Sequence, residues 1–218
     1  MHIRWSHEAP RPDSDLLVFL HGFGADENDL FPLGNYFDDR YTIASVQAPK
    51  KLPEHFGGYC WFPISTELDA NADDVKKAVI QLDEWVQSVA KDYRSVSLLG
   101  FSQGMAMATS LMRIHPEAYT TVIGLSGFIV DTTGAPELES LFDDAQVAKT
   151  QPPLFWGYDP ADPIVSSDRI AETGNWLRPR VQLEERTYNG VGHGIHPDEI
   201  GHLVNFIEKH VHETVSGS

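Results

Sequence analysis

Cysteine is nearly absent from this 218-residue chain, where Cys60 stands alone. One thiol rules out an intramolecular disulfide and any cysteine-rich zinc site, and it fits a reducing compartment. Beside Trp61 it reads as a buried thiol. Basic residues are also scarce, 16 Lys and Arg against 32 Asp and Glu, for a formal net charge of −16. Such a surface repels nucleic-acid phosphates and anionic headgroups, so no nucleic-acid partner is expected, and neutral or cationic substrates are favoured over polyanions. Long apolar runs are missing: nothing approaches the roughly 18 to 20 apolar residues of a membrane helix, so no stable membrane insertion is expected. The first fifteen residues carry Arg4, His7, Glu8, Arg11 and Asp13 without an apolar run. They do not read as a secretory signal, and the expected compartment is the cytoplasm. No low-complexity linker interrupts the chain, and a single domain over residues 1–218 is expected.

What is present alternates between short apolar runs and longer segments of helical period. Leu16 to Leu20 reads as a buried strand that stops at His21-Gly22-Phe23-Gly24. Tyr41 to Val46, Ser95 to Phe101, Thr120 to Leu125, Pro153 to Gly157 and Val181 to Thr187 read as further strands. Asn71 to Tyr93 is the clearest helix, with Val75, Ala78, Val79, Leu82, Trp85, Val86 and Val89 on one face. Shorter helices are predicted from Met105 to His115, Ser166 to Leu177 and Pro197 to Val211, with an acidic helical piece at Glu137 to Gln146. Strands separated by crossover helices require a mainly parallel sheet with helices on both faces, an α/β fold. Ligands in such sheets sit at the carboxyl ends of the strands. Two long connections, Ala48 to Leu68 and Gly127 to Gln151, are positioned to shape a pocket there.

Gly100-Phe101-Ser102-Gln103-Gly104 matches G-x-S-x-G, a serine on a strained strand-to-helix turn whose flanking glycines remove Cβ atoms that would clash. The predicted strand before it and helix after it supply the context this short motif needs. A serine hydroxyl is a poor nucleophile near neutral pH and requires a base held by a third group. Among the histidines after Ser102, only His193 and His196 lie in a loop following a late strand. His193 is flanked by Gly192 and Gly194, whereas His196 precedes Pro197 and belongs to the helix entry. His202, His210 and His212 read as surface or capping residues. The His193 and His196 pair has neither the spacing nor the carboxylate or thiolate company of a metal site, so no metal is expected. For the acid, Asp159 and Asp162 both follow a strand, both precede prolines, and both remain open. The loop His21-Gly22-Phe23 follows an early strand, and the amides of Phe23 and Gln103 are the candidate oxyanion donors, with His21 structural.

Together these residues resemble the phospholipase/carboxylesterase family, small α/β-hydrolases that include bacterial carboxylesterases and acyl-protein thioesterases. The likeness covers nearly the whole chain. It rests on Leu20 to Asp26, Gly100 to Gly104, Leu125-Ser126-Gly127, Asp162-Pro163-Ile164-Val165 and Tyr188 to His193. It implies an α/β-hydrolase fold with little or no cap domain, a triad of Ser102, Asp162 and His193, and Phe23 and Gln103 as oxyanion amides. It also implies an acyl pocket lined by Trp61 and Phe128, a small-molecule ester substrate and no cofactor, and it is compatible with a homodimer. Three departures stand out. Trp156 replaces a family histidine and Asp162 lies five residues after Gly157, which keeps Asp159 open. Met105 stands where a glycine is common and is expected to narrow the pocket. Phe128-Ile129-Val130 points to an apolar acyl or aryl site. Thioester or lysophospholipid hydrolysis, or peptide cleavage, could run on the same residues, and a catalytically silent binding protein is the reading from another class.

Overall fold

The structure is a computed structural model describing residues 1–7 and 11–216. In chain order it contains β1 (Ile3–Trp5), β2 (Asp15–Leu20), a 3-10 turn (Phe31–Tyr36), β3 (Tyr41–Val46), β4 (Lys50–Lys51), β5 (Tyr59–Cys60) and α1 (Ala72–Ala90). There follow β6 (Ser95–Phe101), α2 (Gln103–Ile114), β7 (Val122–Leu125), α3 (Pro136–Glu139), α4 (Asp144–Thr150) and β8 (Pro153–Tyr158). The last three elements are α5 (Ser167–Leu177), β9 (Gln182–Thr187) and α6 (Pro197–Ser216).

Among the described residues, seven strands form one sheet in the order β1-β3-β2-β6-β7-β8-β9. All neighbours are parallel except β1, which runs antiparallel on β3. The register aligns Leu20 with Gly100, Gly100 with Gly124, Gly124 with Trp156 and Trp156 with Glu185. That row marks the carboxyl edge, so the chain leaves five strands at nearly one level and their loops converge.

Every residue of β2 is buried, as expected of a central strand covered on both faces. Leu16, Val18 and Leu20 join a core with Val79 and Leu82 of α1 and Leu111 and Met112 of α2. Leu17 and Phe19 point the other way, into a second core with Leu203, Phe206 and Ile207 of α6. The predicted apolar face of α1 is the buried one, and Asn71 caps the helix by accepting from the N–H groups of Asp73 and Asp74.

Some expectations need correction. The acidic stretch from Glu137 to Gln146 is not one helical piece. Asp143 Oδ1 accepts the Gln146 N–H at 2.9 Å and starts α4 afresh, separating it from α3. Two short pairings, β1 and the β4–β5 hairpin, carry too few residues to show a period in the sequence. His210 is buried against the Phe206 ring instead of lying on the surface. The side chain of His212 lies outside the described residues.

Candidate active site

Ser102 sits between β6 and α2 with φ 54° and ψ −117°, a backbone conformation that a serine seldom adopts. Its surroundings enforce this. The Ser102 N–H donates to the Leu125 carbonyl at 2.9 Å, and a Cβ on Gly100 would overlap the Gly104 backbone. A Cβ on Gly104 would overlap the carbonyl oxygen of Leu20. Both glycines are therefore dictated by backbone-to-backbone approach, the second between the elbow and the end of β2.

From the opposite side comes the loop between β9 and α6. His193 Nε2 lies 3.0 Å from Ser102 Oγ, and His193 Nδ1 lies 2.8 Å from Asp162 Oδ2. With Nδ1 donating to the carboxylate, Nε2 is left to accept from the serine hydroxyl. The other Asp162 oxygen, Oδ1, accepts the N–H groups of Ile164 (2.7 Å) and Val165 (3.0 Å), which fixes the carboxylate plane. Asp159 does something different. Its Oδ1 accepts from Ala161 N–H at 2.9 Å, and its Oδ2 accepts from Gly190 and Gly192 N–H at 2.8 Å each. These backbone bonds, led by that to Ala161, hold its carboxyl below the usual range. Asp159 thus ties the β8 loop to the loop that carries His193. Ser126 Oγ adds a bond to the Gly194 carbonyl at 2.7 Å, a contact the sequence did not signal.

Gln103 opens α2, where a first-turn N–H has no carbonyl one turn back to bond with. Phe23 lies on the loop after β2. That loop runs alongside Ser102, since a Cβ at Gly22 would stand 3.4 Å from Ser102 Cβ. The Gln103 side chain holds the backbone of residues 61 and 62. Its Oε1 accepts the Trp61 N–H at 2.9 Å and its Nε2 donates to the Phe62 carbonyl at 2.7 Å. Trp61 Nε1 in turn donates to the His21 carbonyl at 2.9 Å. His21 is buried, with Nδ1 donating to the Gly22 carbonyl and Nε2 accepting the Ala48 N–H, and desolvation lowers its pKa. It braces the loop, out of contact with Ser102 Oγ.

A cavity of about 220 Å³ carries Phe62, Leu68, Val75, Phe128 and Leu138 in its wall. Trp61 is fully buried in the brace, and its neighbour Phe62 supplies the aromatic surface. Met105 does not narrow this space. It is completely buried, and its side chain lies across Gly124 and Gly127, where any Cβ would collide with it. The flexible thioether fills the room that two glycines leave on β7 and just after it.

Below the His193 loop, His196 caps α6 through Nδ1, which accepts the Asp198 N–H at 3.1 Å. Glu199 closes the reciprocal half, Oε2 accepting the His196 N–H at 3.0 Å. Glu199 is buried, its Oε1 has no hydrogen-bond partner among the described residues, and desolvation pushes its pKa up to about 7. The spacing from His196 to Glu199 is the one sequence signal that could have found it. Among the described residues no group of three or more His, Cys, Asp or Glu side chains is arranged to hold a metal ion. None of the described helices is long and apolar enough to cross a membrane.

The model of the phospholipase/carboxylesterase family matches residues 7–211. The chain belongs to that family. Relatives in it are named thioesterases and carboxylesterases, hydrolases acting on ester bonds, and the chain is a hydrolase of that kind. It is 26% identical over 219 residues to acyl-protein thioesterase 1 of Debaryomyces hansenii, covering 91% of this chain and 92% of the relative. Among solved structures it is similar to esterase PE8, with a TM-score of 0.76 and 26% identity over 94% of this chain and 97% of that one. The carboxylesterase of Bacillus cereus has the same fold, with a TM-score of 0.76 at 19% identity, covering 95% of this chain and 93% of the other.

Proposed function

We propose that this chain is a single-domain cytoplasmic serine carboxylesterase that cleaves small-molecule carboxylic esters through an acyl-enzyme. The observation that carries this reading is the unbroken line of hydrogen bonds from Asp162 Oδ2 through His193 to Ser102 Oγ, at 2.8 and 3.0 Å. Ser102 Oγ attacks the ester carbonyl while His193 Nε2 takes the hydroxyl proton, and the imidazolium is stabilised by the Asp162 carboxylate. The tetrahedral oxyanion faces the N–H groups of Phe23 and Gln103. Collapse breaks the bond to the alcohol, which leaves with the proton from His193. Water then attacks the acyl-enzyme by the same route in reverse, giving its proton to His193, and Ser102 regains one as the acid departs.

The test is labelling by a fluorophosphonate together with turnover of p-nitrophenyl esters. Both are expected in the wild-type chain and both are lost in Ser102→Ala; retained labelling would sink the assignment. Thioester hydrolysis is the second reading, favoured by the likeness to a protein named acyl-protein thioesterase 1. Parallel assays on oxygen esters, acyl-CoA and S-acylated peptide separate the two by kcat/KM. A silent binding protein predicts no acyl-enzyme with any activated ester.

A further inference from the structure

The cavity of about 220 Å³ beside Phe62 and Phe128 ends against a second one of about 340 Å³, lined by Arg113, Asp144, Trp176 and Arg180. Five residues line both: Ile129, Val130, Asp131, Thr133 and Arg169. Four of them belong to one segment, residues 129–133, which runs along the two spaces as a continuous wall. Arg169 is the exception. It projects from α5, and its guanidinium crosses to the turn at residues 65–70, where Nη2 donates to Asp69 Oδ1 at 2.7 Å and to the Glu67 carbonyl at 3.4 Å. Nη1 stands 3.4 Å from Glu172 Oε2, one turn on in α5. The side chain is therefore held at both sides of the gap, and only 14% of it is exposed.

The turn it grips is itself unusual. Leu68 has φ 65°, a conformation that costs a branched side chain energy and persists where neighbours dictate it. Ser65 Oγ accepts the N–H groups of Glu67 and Asp69, which sets the turn, and Leu68 lines the cavity beside Phe62 and Phe128. Asp69, the residue Arg169 holds, is next in the chain.

We propose that Arg169 is a specificity-determining residue: a partition that ends the acyl cavity and limits the enzyme to short acyl groups. The inference rests on the ester hydrolysis proposed above, with the acyl group lodged against Phe62 and Phe128. At about 30 Å³ per water-sized group, the cavity on this side of Arg169 holds about seven heavy atoms. Shortening Arg169 joins it to the second cavity, where Ile129, Val130 and Trp176 offer apolar surface among the charged groups of Arg113, Asp144, Glu172 and Arg180. Each further methylene buried against that apolar surface is worth up to about fourfold in kcat/KM.

The experiment measures kcat/KM for p-nitrophenyl esters from acetyl to dodecanoyl in the wild-type chain and in Arg169→Ala. Wild type is expected to decline beyond about eight carbons, and Arg169→Ala to raise the ratio of dodecanoyl to butanoyl rates at least tenfold. A ratio, unlike a single rate, does not move when a variant is merely less well folded. Arg169→Gln, which keeps a polar head on a shorter stem, is read in the same way should the alanine variant not fold. An unchanged ratio in either folded variant overturns the partition. A wild-type chain that turns over no ester overturns the underlying function as well, and this is seen before any substitution is made.

Discussion

Asp162→Asn and Asp159→Asn are chemically the same change three residues apart, and the structure gives them different consequences. In Asp162→Asn, Ile164 and Val165 still present their N–H groups to one side of the side chain, where only an oxygen can accept. The amide nitrogen is therefore turned toward His193 Nδ1, which it meets as a donor. The imidazole must then carry its proton on Nε2, facing Ser102 Oγ, and cannot take the serine proton. A wrong tautomer of this kind costs about 10⁴ in kcat, which corresponds to about 5.5 kcal/mol of transition-state stabilisation. KM and the urea midpoint are expected to change little. In Asp159→Asn the oxygen stays with Gly190 and Gly192 and the nitrogen opposes the single Ala161 N–H. His193 keeps its tautomer but sits on a looser loop, so the expected loss in kcat is tenfold to a hundredfold, accompanied by a lower urea midpoint. Steady-state kinetics on p-nitrophenyl butyrate with urea denaturation of both variants reads kcat, KM and the urea midpoint together. If Asp159→Asn loses more kcat than Asp162→Asn, the roles drawn from these contacts are wrong.

Two further outcomes concern stability. Glu199 has a folded pKa of about 7 against an ordinary value near 4.5, so the native state holds a proton that the unfolded state releases. Stability is then highest below about pH 4.5 for this group, falls between pH 4.5 and 7, and levels off above, a loss of about 3 kcal/mol. Glu199→Gln, which cannot ionise, is expected to flatten that slope in urea titrations at pH 5 and 8, and a slope equal to that of wild type refutes the assignment. Arg113 is buried with Nε and Nη2 on Asp144 at 2.7 and 2.9 Å and Nη1 on the Val130 carbonyl at 2.8 Å. Asp144→Ala strands that cation and is expected to cost about 3 to 5 kcal/mol in urea unfolding. A loss below about 1 kcal/mol means that water or another group reaches the guanidinium.

The fold was largely legible because its signals are local. A buried parallel strand such as β2 is apolar throughout, α1 repeats at helical spacing, and the glycines of the elbow announce a turn no other residue allows. Ser102 and His193 were legible for the same reason, each being flanked by glycines in a strand-end loop. The choice between Asp159 and Asp162 was not, because both precede proline and the difference lies in which backbone amides each meets after folding. Long-range partnerships left no trace either: Gln103 holding Trp61 and Phe62, Ser126 reaching Gly194, and Arg169 reaching Asp69 join segments far apart in the chain. Met105 misled because a side chain's direction depends on the space two distant glycines leave. Glu199 lay in between, its capping spacing visible and its burial not.

The contact between Gly104 and the Leu20 carbonyl has an evolutionary reading. It locks the helix that follows Ser102 to the strand that leads into the loop of Phe23, so neither can shift without disturbing the other. Under the proposed function, the room to fit a different acyl group is thereby left to the other wall, residues 61–70, 127–135 and the α5 side chain that reaches between them.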